Sequence, residues 1–253
     1  MVLEIPRTRL YCDHRLGIER PVQLGEAVAH RLRSVLRLGV GDCVRLFNAE
    51  CGEWLCKLSR LSKKGAEAIP RKQIRQPVPN GPSVWLLFAP LKKDALDILI
   101  EKSVELGVDR LLPTTTAHTD VGRVNMARMR ARAIAAAEQC ERLSIPEIDD
   151  PKPITARLKA LSKDRIVIAC AEAGPVTPLL DLAREFHQQP VCLMTGPEGG
   201  FAKSELDAIA KLPFVHAAGL GPRVLRAETA AIAALAIWQS VSGDSEERPP
   251  LRP

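Results

Sequence analysis

Thr195-Gly196-Pro197-Glu198-Gly199-Gly200-Phe201 and, a short way further on, Leu220-Gly221-Pro222-Arg223-Val224-Leu225-Arg226-Ala227-Glu228-Thr229 are the stretches that decide how this chain is read. An apolar run precedes each: residues 191–194 before the first, 215–218 before the second. A helical pattern follows each. Glycine at a strand-to-helix turn lets backbone N–H groups approach a ligand with no side chain in the way. One such loop is most often a plain turn. Two in succession predict a shared small-molecule site at the C-terminal ends of parallel strands.

Working outward, strand-like runs at 84–88, 110–113, 165–170, 191–194 and 214–220 alternate with helical stretches at 94–106, 125–142, 178–186, 203–212 and 229–240. This alternation predicts an α/β domain with a mostly parallel sheet and helices on both faces. A third loop, Ala171-Glu172-Ala173-Gly174-Pro175, follows the strand at 165–170 and is a candidate third wall of the site. Residues 76–82 hold three prolines and a glycine, a composition that reads as a linker. Before it lie short strands at 42–47 and 53–58, with a turn at 50–52, and one helix at about 26–38. That helix has Val28, Leu32, Val35 and Leu36 as its apolar set. His30, Arg33 and Arg37 share another face, either a phosphate contact or a solvated surface. Strands around one helix predict a small β-barrel. The divisions are therefore 1–75, the linker 76–82, 83–242, and a polar, proline-rich tail at 243–253 that is expected to be disordered.

Residues 1–77 carry 15 Lys/Arg against 8 Asp/Glu, whereas residues 78–253 carry 21 against 22. The net charge of +6 thus resides in the first third. A basic module beside a near-neutral one suggests that the first grips a polyanion and the second does chemistry. Aromatic residues are only 4%, which argues against extensive base stacking. Seven cysteines form no C-x-x-C pair, so no zinc site and no disulfide framework is expected. No apolar run reaches 18 residues, and charges interrupt the N-terminus, so a cytoplasmic location without a membrane segment is expected.

The two loops resemble those of the SPOUT class of knotted RNA methyltransferases, and most closely the ribosomal RNA small subunit methyltransferase E family. Further matching segments are residues 101–108 (EKSVELGV), Glu138-Gln139-Cys140 and Ile145-Pro146-Glu147-Ile148. The resemblance implies a PUA-like RNA-binding barrel followed by a trefoil-knotted domain. It also implies a homodimer, and S-adenosyl-L-methionine as cofactor. The implied reaction is methylation of uridine N3 in 16S ribosomal RNA, on an assembled 30S subunit.

Carried onto this chain, cofactor contacts fall on Leu193, Thr195, Gly196, Gly199, Gly200, Leu220, Gly221, Leu225 and Thr229, with Glu172 from the third loop. Catalysis falls on Arg226, as the cation beside a forming imide anion, and on Glu198. RNA contacts fall on Arg7, Arg33, Arg37, His118, Arg142 and Arg223. No metal is expected, and no general base is assigned. The chain departs from the family pattern at Ala202, where Ser is usual, at His118, where Arg is usual, and at Glu141, where Gly is usual. Two other functions remain in view: a ribose 2′-O methyltransferase of the same class, and a catalytically silent RNA-binding assembly factor. A Rossmann oxidoreductase is disfavoured because GxGxxG is absent.

Overall fold

The computed structural model describes residues 6–78, 81–120, 122, 124–161, 165–171, 176–245 and 248. The described residues form two compact units. One holds 6–78 with 137–145, and the other holds 81–136 with 146–248.

The first unit contains β1 (Arg9–Tyr11), β2 (Val22–Leu24), α1 (Glu26–His30), β3 (Cys43–Asn48), β4 (Gly52–Ser62) and β5 (Gly65–Arg75). They form a five-stranded sheet of order β1-β3-β4-β5-β2, parallel only between β1 and β3. All five strands and α1 line one core, with Leu10, Val22, Leu32, Leu46, Leu58 and Ala68 among its members. Sequence reading did not anticipate β5, because its inward positions are the small residues Ala66 and Ala68 and because it contains Pro70. The β4–β5 register shifts beside Pro70, which spares the ladder a missing donor.

The helix expected at 26–38 is α-helical only to His30. Residues Arg31–Val35 then form a π-turn, with Leu36 N–H donating to Arg31 O at 2.9 Å. The wide turn is closed by Leu38 N–H donating to Leu32 O, with Arg37 at φ 55°. Widening the turn rotates the later side chains. Leu32 is fully buried, but Val35 is 65% exposed, so the predicted apolar set is not one buried stripe.

A buried ionic cluster closes the unit. The Glu53 carboxylate on β4 is fully buried, 3.2 Å from Arg9 Nε, 3.1 Å from Arg45 and 3.3 Å from Arg75. Strand pairing creates this meeting: Arg9 lies opposite Arg45, and Glu53 opposite Phe47 and Arg75. The Arg9 guanidinium also lies 3.4 Å from the Phe47 ring centroid. Its remaining donors reach Ala137 O at 2.7 Å and Arg142 O at 2.9 Å, satisfying carbonyls where a helix ends.

The second unit contains β6 (Val84–Phe88), α2 (Lys93–Glu105), β7 (Arg110–Thr115), α3 (Met126–Cys140), β8 (Glu147–Ile148), β9 (Lys152–Pro153), α4 (Ile154–Ala160), β10 (Ile166–Cys170), β11 (Thr177–Pro178), α5 (Leu179–Glu185), β12 (Val191–Thr195), α6 (Lys203–Ala210), β13 (Val215–Gly219) and α7 (Ala227–Ser242). The last turn of α3 falls in the first unit. The sheet order is β11-β13-β10-β12-β6-β7-β8, parallel throughout, with β9 pairing β7. The long apolar runs are central strands buried on both faces, as parallel sheets require. Leu87, Leu112, Cys192 and Met194 pack with Ile154, Leu158 and Ile209 of α4 and α6. The opposite face carries α7, which packs on β12 and on its neighbours α2 and α5. Burial raises the Cys192 thiol to about 12, so it is an inert core residue.

Two helix junctions carry tests of this architecture. Asp97 of α2 receives hydrogen bonds from Arg128 and Arg132 of α3, and these hold its carboxyl down at about 2. The staple is therefore complete above the ordinary carboxylate pKa and is lost as pH falls toward 2. At the end of α2, Gly107 adopts φ +79°, and an added Cβ would lie 2.6 Å from Gln239 Nε2, which donates to Leu106 O. Gly107→Ala is expected to cost about 1–2 kcal/mol through left-handed strain alone. Urea unfolding would read this as a lower midpoint, and an unchanged midpoint would dismiss the constraint.

Candidate active site

Strands β12, β10 and β13 are adjacent and parallel, so the loops after them open on one edge of the sheet. Residues 172–175 of the loop after β10, including Glu172, lie outside the described residues. The loop after β12 is built around its glycines. Phe201 folds back so closely that a Cβ on Gly196 would meet its ring at 2.9 Å. Gly200 takes φ +67°. After β13, Gly221 takes φ +105° and has open space where a side chain would be. Both loops thus expose backbone in the way the glycine pattern predicts.

Strand alternation places Thr195 on the α7 side of the sheet, opposite Cys192 and Met194. Thr195 is only 2% exposed, and its Oγ1 has no hydrogen-bond partner among the described residues. Glu228, in the first turn of α7, likewise has a buried Oε2 without a partner among the described residues. A parallel strand followed by a short loop starts α7 at this same edge. Buried polar atoms are normally paired, so two orphans beside glycine-opened loops mark a place for a ligand's polar groups. The arrangement fits a nucleoside-type cofactor: free backbone and a buried hydroxyl.

The other expected residues are placed as follows. Leu193 is fully buried within β12, short of the loop. Leu220 and Leu225 are half-buried, whereas Glu198, Arg223, Arg226 and Thr229 are exposed. Arg226 caps α7 in an extended conformation, φ −63° and ψ 155°. No ion pair joins it to Glu228 among the described residues. His118, expected at RNA, is tied to the first loop: its Nδ1 lies 3.1 Å from both Gly199 O and Gly200 O.

Sequence reasoning missed Glu205. Its Oε2 accepts from Ala202 N–H at 2.9 Å and its Oε1 from Ala117 N–H at 2.8 Å, tying the 116–119 turn to the glycine loop. The available signal was its position three residues after Ala202, where the acidic half of a capping box sits. Ala202 supplies no side-chain oxygen, so this half stands alone.

In the first unit, His30 and Arg37 are exposed and Arg33 is half-buried. Arg7 is exposed, while its carbonyl lies 3.5 Å from Arg45. Arg142 Nε donates to Ser144 at 3.0 Å. Glu138 accepts from Tyr11 N–H at 3.1 Å and Arg31 at 2.6 Å. Glu141 adopts φ 64°, the conformation that favours glycine, and its carboxylate lies 3.3 Å from Arg45. Glu138 and Glu141 thus make contacts within this unit.

Residues 79–239 match the RNA methyltransferase domain family, and residues 24–71 match the RNA methyltransferase PUA domain. A ribosomal RNA small subunit methyltransferase E from Rickettsia conorii is 30% identical over 240 residues, covering 94% of this chain and 98% of the relative. The chain belongs to the ribosomal RNA small subunit methyltransferase E family. A second relative of that name, from Buchnera aphidicola subsp. Schizaphis graminum, is 27% identical and covers 93% of this chain and 97% of its own. A methyltransferase E crystal structure from Neisseria gonorrhoeae, bound to S-adenosyl methionine, superposes with a TM-score of 0.85 at 26% identity. It covers 96% of this chain and 100% of its own. The α/β fold with a preceding PUA domain is that of the methyltransferase E family.

Proposed function

We propose that this protein transfers a methyl group from S-adenosyl-L-methionine to N3 of a uridine in 16S ribosomal RNA. The observation that carries the reading is the pair of glycine-opened loops after β12 and β13, flanked by the buried Thr195 Oγ1, which has no partner among the described residues. The cofactor lies across these loops, against Thr195, Gly196, Gly199, Gly200, Leu220, Gly221 and Leu225. The sulfonium it carries supplies the methyl group. The protein's task is to align the imide nitrogen with that methyl and to stabilise the anionic form of the base. Arg226, exposed at the start of α7, provides the cation for this.

The basic N-terminal unit, with Arg7, Arg33, Arg37 and Arg142, holds RNA phosphates. The substrate is an assembled 30S subunit, and the enzyme works as a homodimer with a SPOUT-type trefoil knot. Half-exposed Ile232 and Ile237 on α7, beside a buried stripe of Ala231, Leu235 and Trp238, offer apolar surface to a second subunit.

The test is methyl transfer from labelled S-adenosylmethionine to small subunits lacking the modification, followed by nucleoside mass analysis. N3-methyluridine is the expected product. A ribose-methylated nucleoside would move the protein to another SPOUT branch, and no transfer without cofactor binding would leave a silent RNA-binding factor. A second test concerns the RNA grip. Replacing Arg33 and Arg37 by Glu should weaken subunit binding and flatten its log–log salt dependence by about 0.7–0.9 for each phosphate that is no longer neutralised. An unchanged slope would return that face to plain solvated surface.

A further inference from the structure

A uridine N3 cannot accept a methyl group while it carries its proton, and the family motifs name no group to remove it. At the loop edge of the second unit, most candidate acceptors are already engaged. Both Glu205 oxygens accept backbone N–H groups, from Ala117 and Ala202. His118 is bound to the carbonyls of Gly199 and Gly200. Asp120 is highly exposed and faces Lys92 at 3.5 Å. Glu198 is exposed. Glu228 differs. Its Oε2 is shut away from water, and no donor among the described residues reaches it. It sits two residues beyond Arg226, on the same helix start, at the edge where the buried Thr195 Oγ1 is also unpartnered.

A carboxylate oxygen desolvated without a donor is unfavourable until a ligand brings one. The imide of uracil presents one N–H donor between two carbonyl acceptors. An arginine and a carboxylate at one helix start match that pattern: cation to carbonyl, carboxylate to N–H. We propose that Glu228 is the general base that takes the N3 proton of the target uridine, an assignment that rests on the N3-methylation reading above. The N3–H bond breaks toward Glu228 Oε2, and N3 forms its bond to the methyl carbon as the sulfur–methyl bond breaks. The sulfonium becomes a neutral thioether, and the protonated Glu228 later releases its proton to solvent.

The experiment compares the full-length protein with Glu228→Gln, which is isosteric, and Glu228→Asp, on small subunits containing either uridine or the more acidic 5-fluorouridine. Thermal unfolding and calorimetric binding of S-adenosylmethionine accompany the rates. Glu228→Gln is expected to bind the cofactor as the wild type does and to lose about 10²-fold in turnover. Glu228→Asp should keep part of the rate. The Gln variant's deficit should shrink on 5-fluorouridine, because a more acidic imide needs less help. Three results would overturn the assignment: undiminished turnover, cofactor affinity lost in step with turnover, or an equal deficit on both substrates. If the wild type methylates an atom other than N3, the underlying reading fails first and the role of Glu228 falls with it.

Discussion

Arg226→Ala is expected to lower methyl transfer by about 10²–10³-fold, roughly 3–4 kcal/mol of transition-state stabilisation, while leaving S-adenosylmethionine binding nearly unchanged. The asymmetry follows from where the residue stands. Arg226 caps α7 in an extended conformation with its side chain exposed. Its charge is therefore available to a base brought in from solvent. A cofactor seated on the glycine backbones is held by groups other than this guanidinium. Negative charge develops on the uracil ring only as the N3 proton leaves, so the cation acts mainly in the transition state. Arg226→Lys, which keeps the charge but not the planar fork, should recover part of the rate. Rapid-mix single-turnover kinetics with calorimetric cofactor binding would check this. Equal losses in binding and turnover would remove Arg226 from the chemistry and make it a cofactor ligand.

Glu53→Ala should produce the largest loss of stability, about 3–5 kcal/mol, because it removes the buried carboxylate that Arg9 and Arg45 share and leaves Glu141 beside Arg45. All three side chains are nearly inaccessible, with Glu53 at 0%, Arg9 at 4% and Arg45 at 7% exposure. Burial already lowers the Arg9 pKa, against the pull of Glu53. Removing the anion leaves two desolvated cations that repel each other, with Arg75 close by. Scanning calorimetry should show the unfolding transition of the first unit falling by roughly 12–40 °C. Glu53→Gln, which keeps the shape but not the charge, should fall nearly as far. A transition that stays in place would mean water enters the cluster, and the ionic account would fail.

Much of the second unit was legible because its elements repeat a simple physical pattern. Runs such as residues 84–88 and 191–194 are apolar on both faces, as buried parallel strands must be, and they lie where β6 and β12 were found. The short β8, β9 and β11 and helix α4 were missed, since two-residue strands carry no periodicity. In the first unit, the helix start at Glu26 was readable and its course was not. Whether a chain turns with 3.6 residues or slips into a π-turn depends on what Leu32 packs against, which no local pattern records.

At the site, the two glycine loops were legible by themselves, because left-handed backbone and close approach leave a trace in residue type: Gly200 and Gly221 occupy positive φ. Glu141 is the counter-example. It holds φ 64° without glycine, beside the Arg45 that it pairs with. That His118 contacts the glycine loop, that Glu205 links two turns, and that Glu228 hides an oxygen without a donor among the described residues were decided only by the folded chain. Sequence alone determined the parallel strands and the turns between them, since hydrophobic period and backbone freedom are local properties. Tertiary structure alone decided which polar atoms are satisfied, because a hydrogen-bond partner can lie 81 residues away, as Gly199 does from His118.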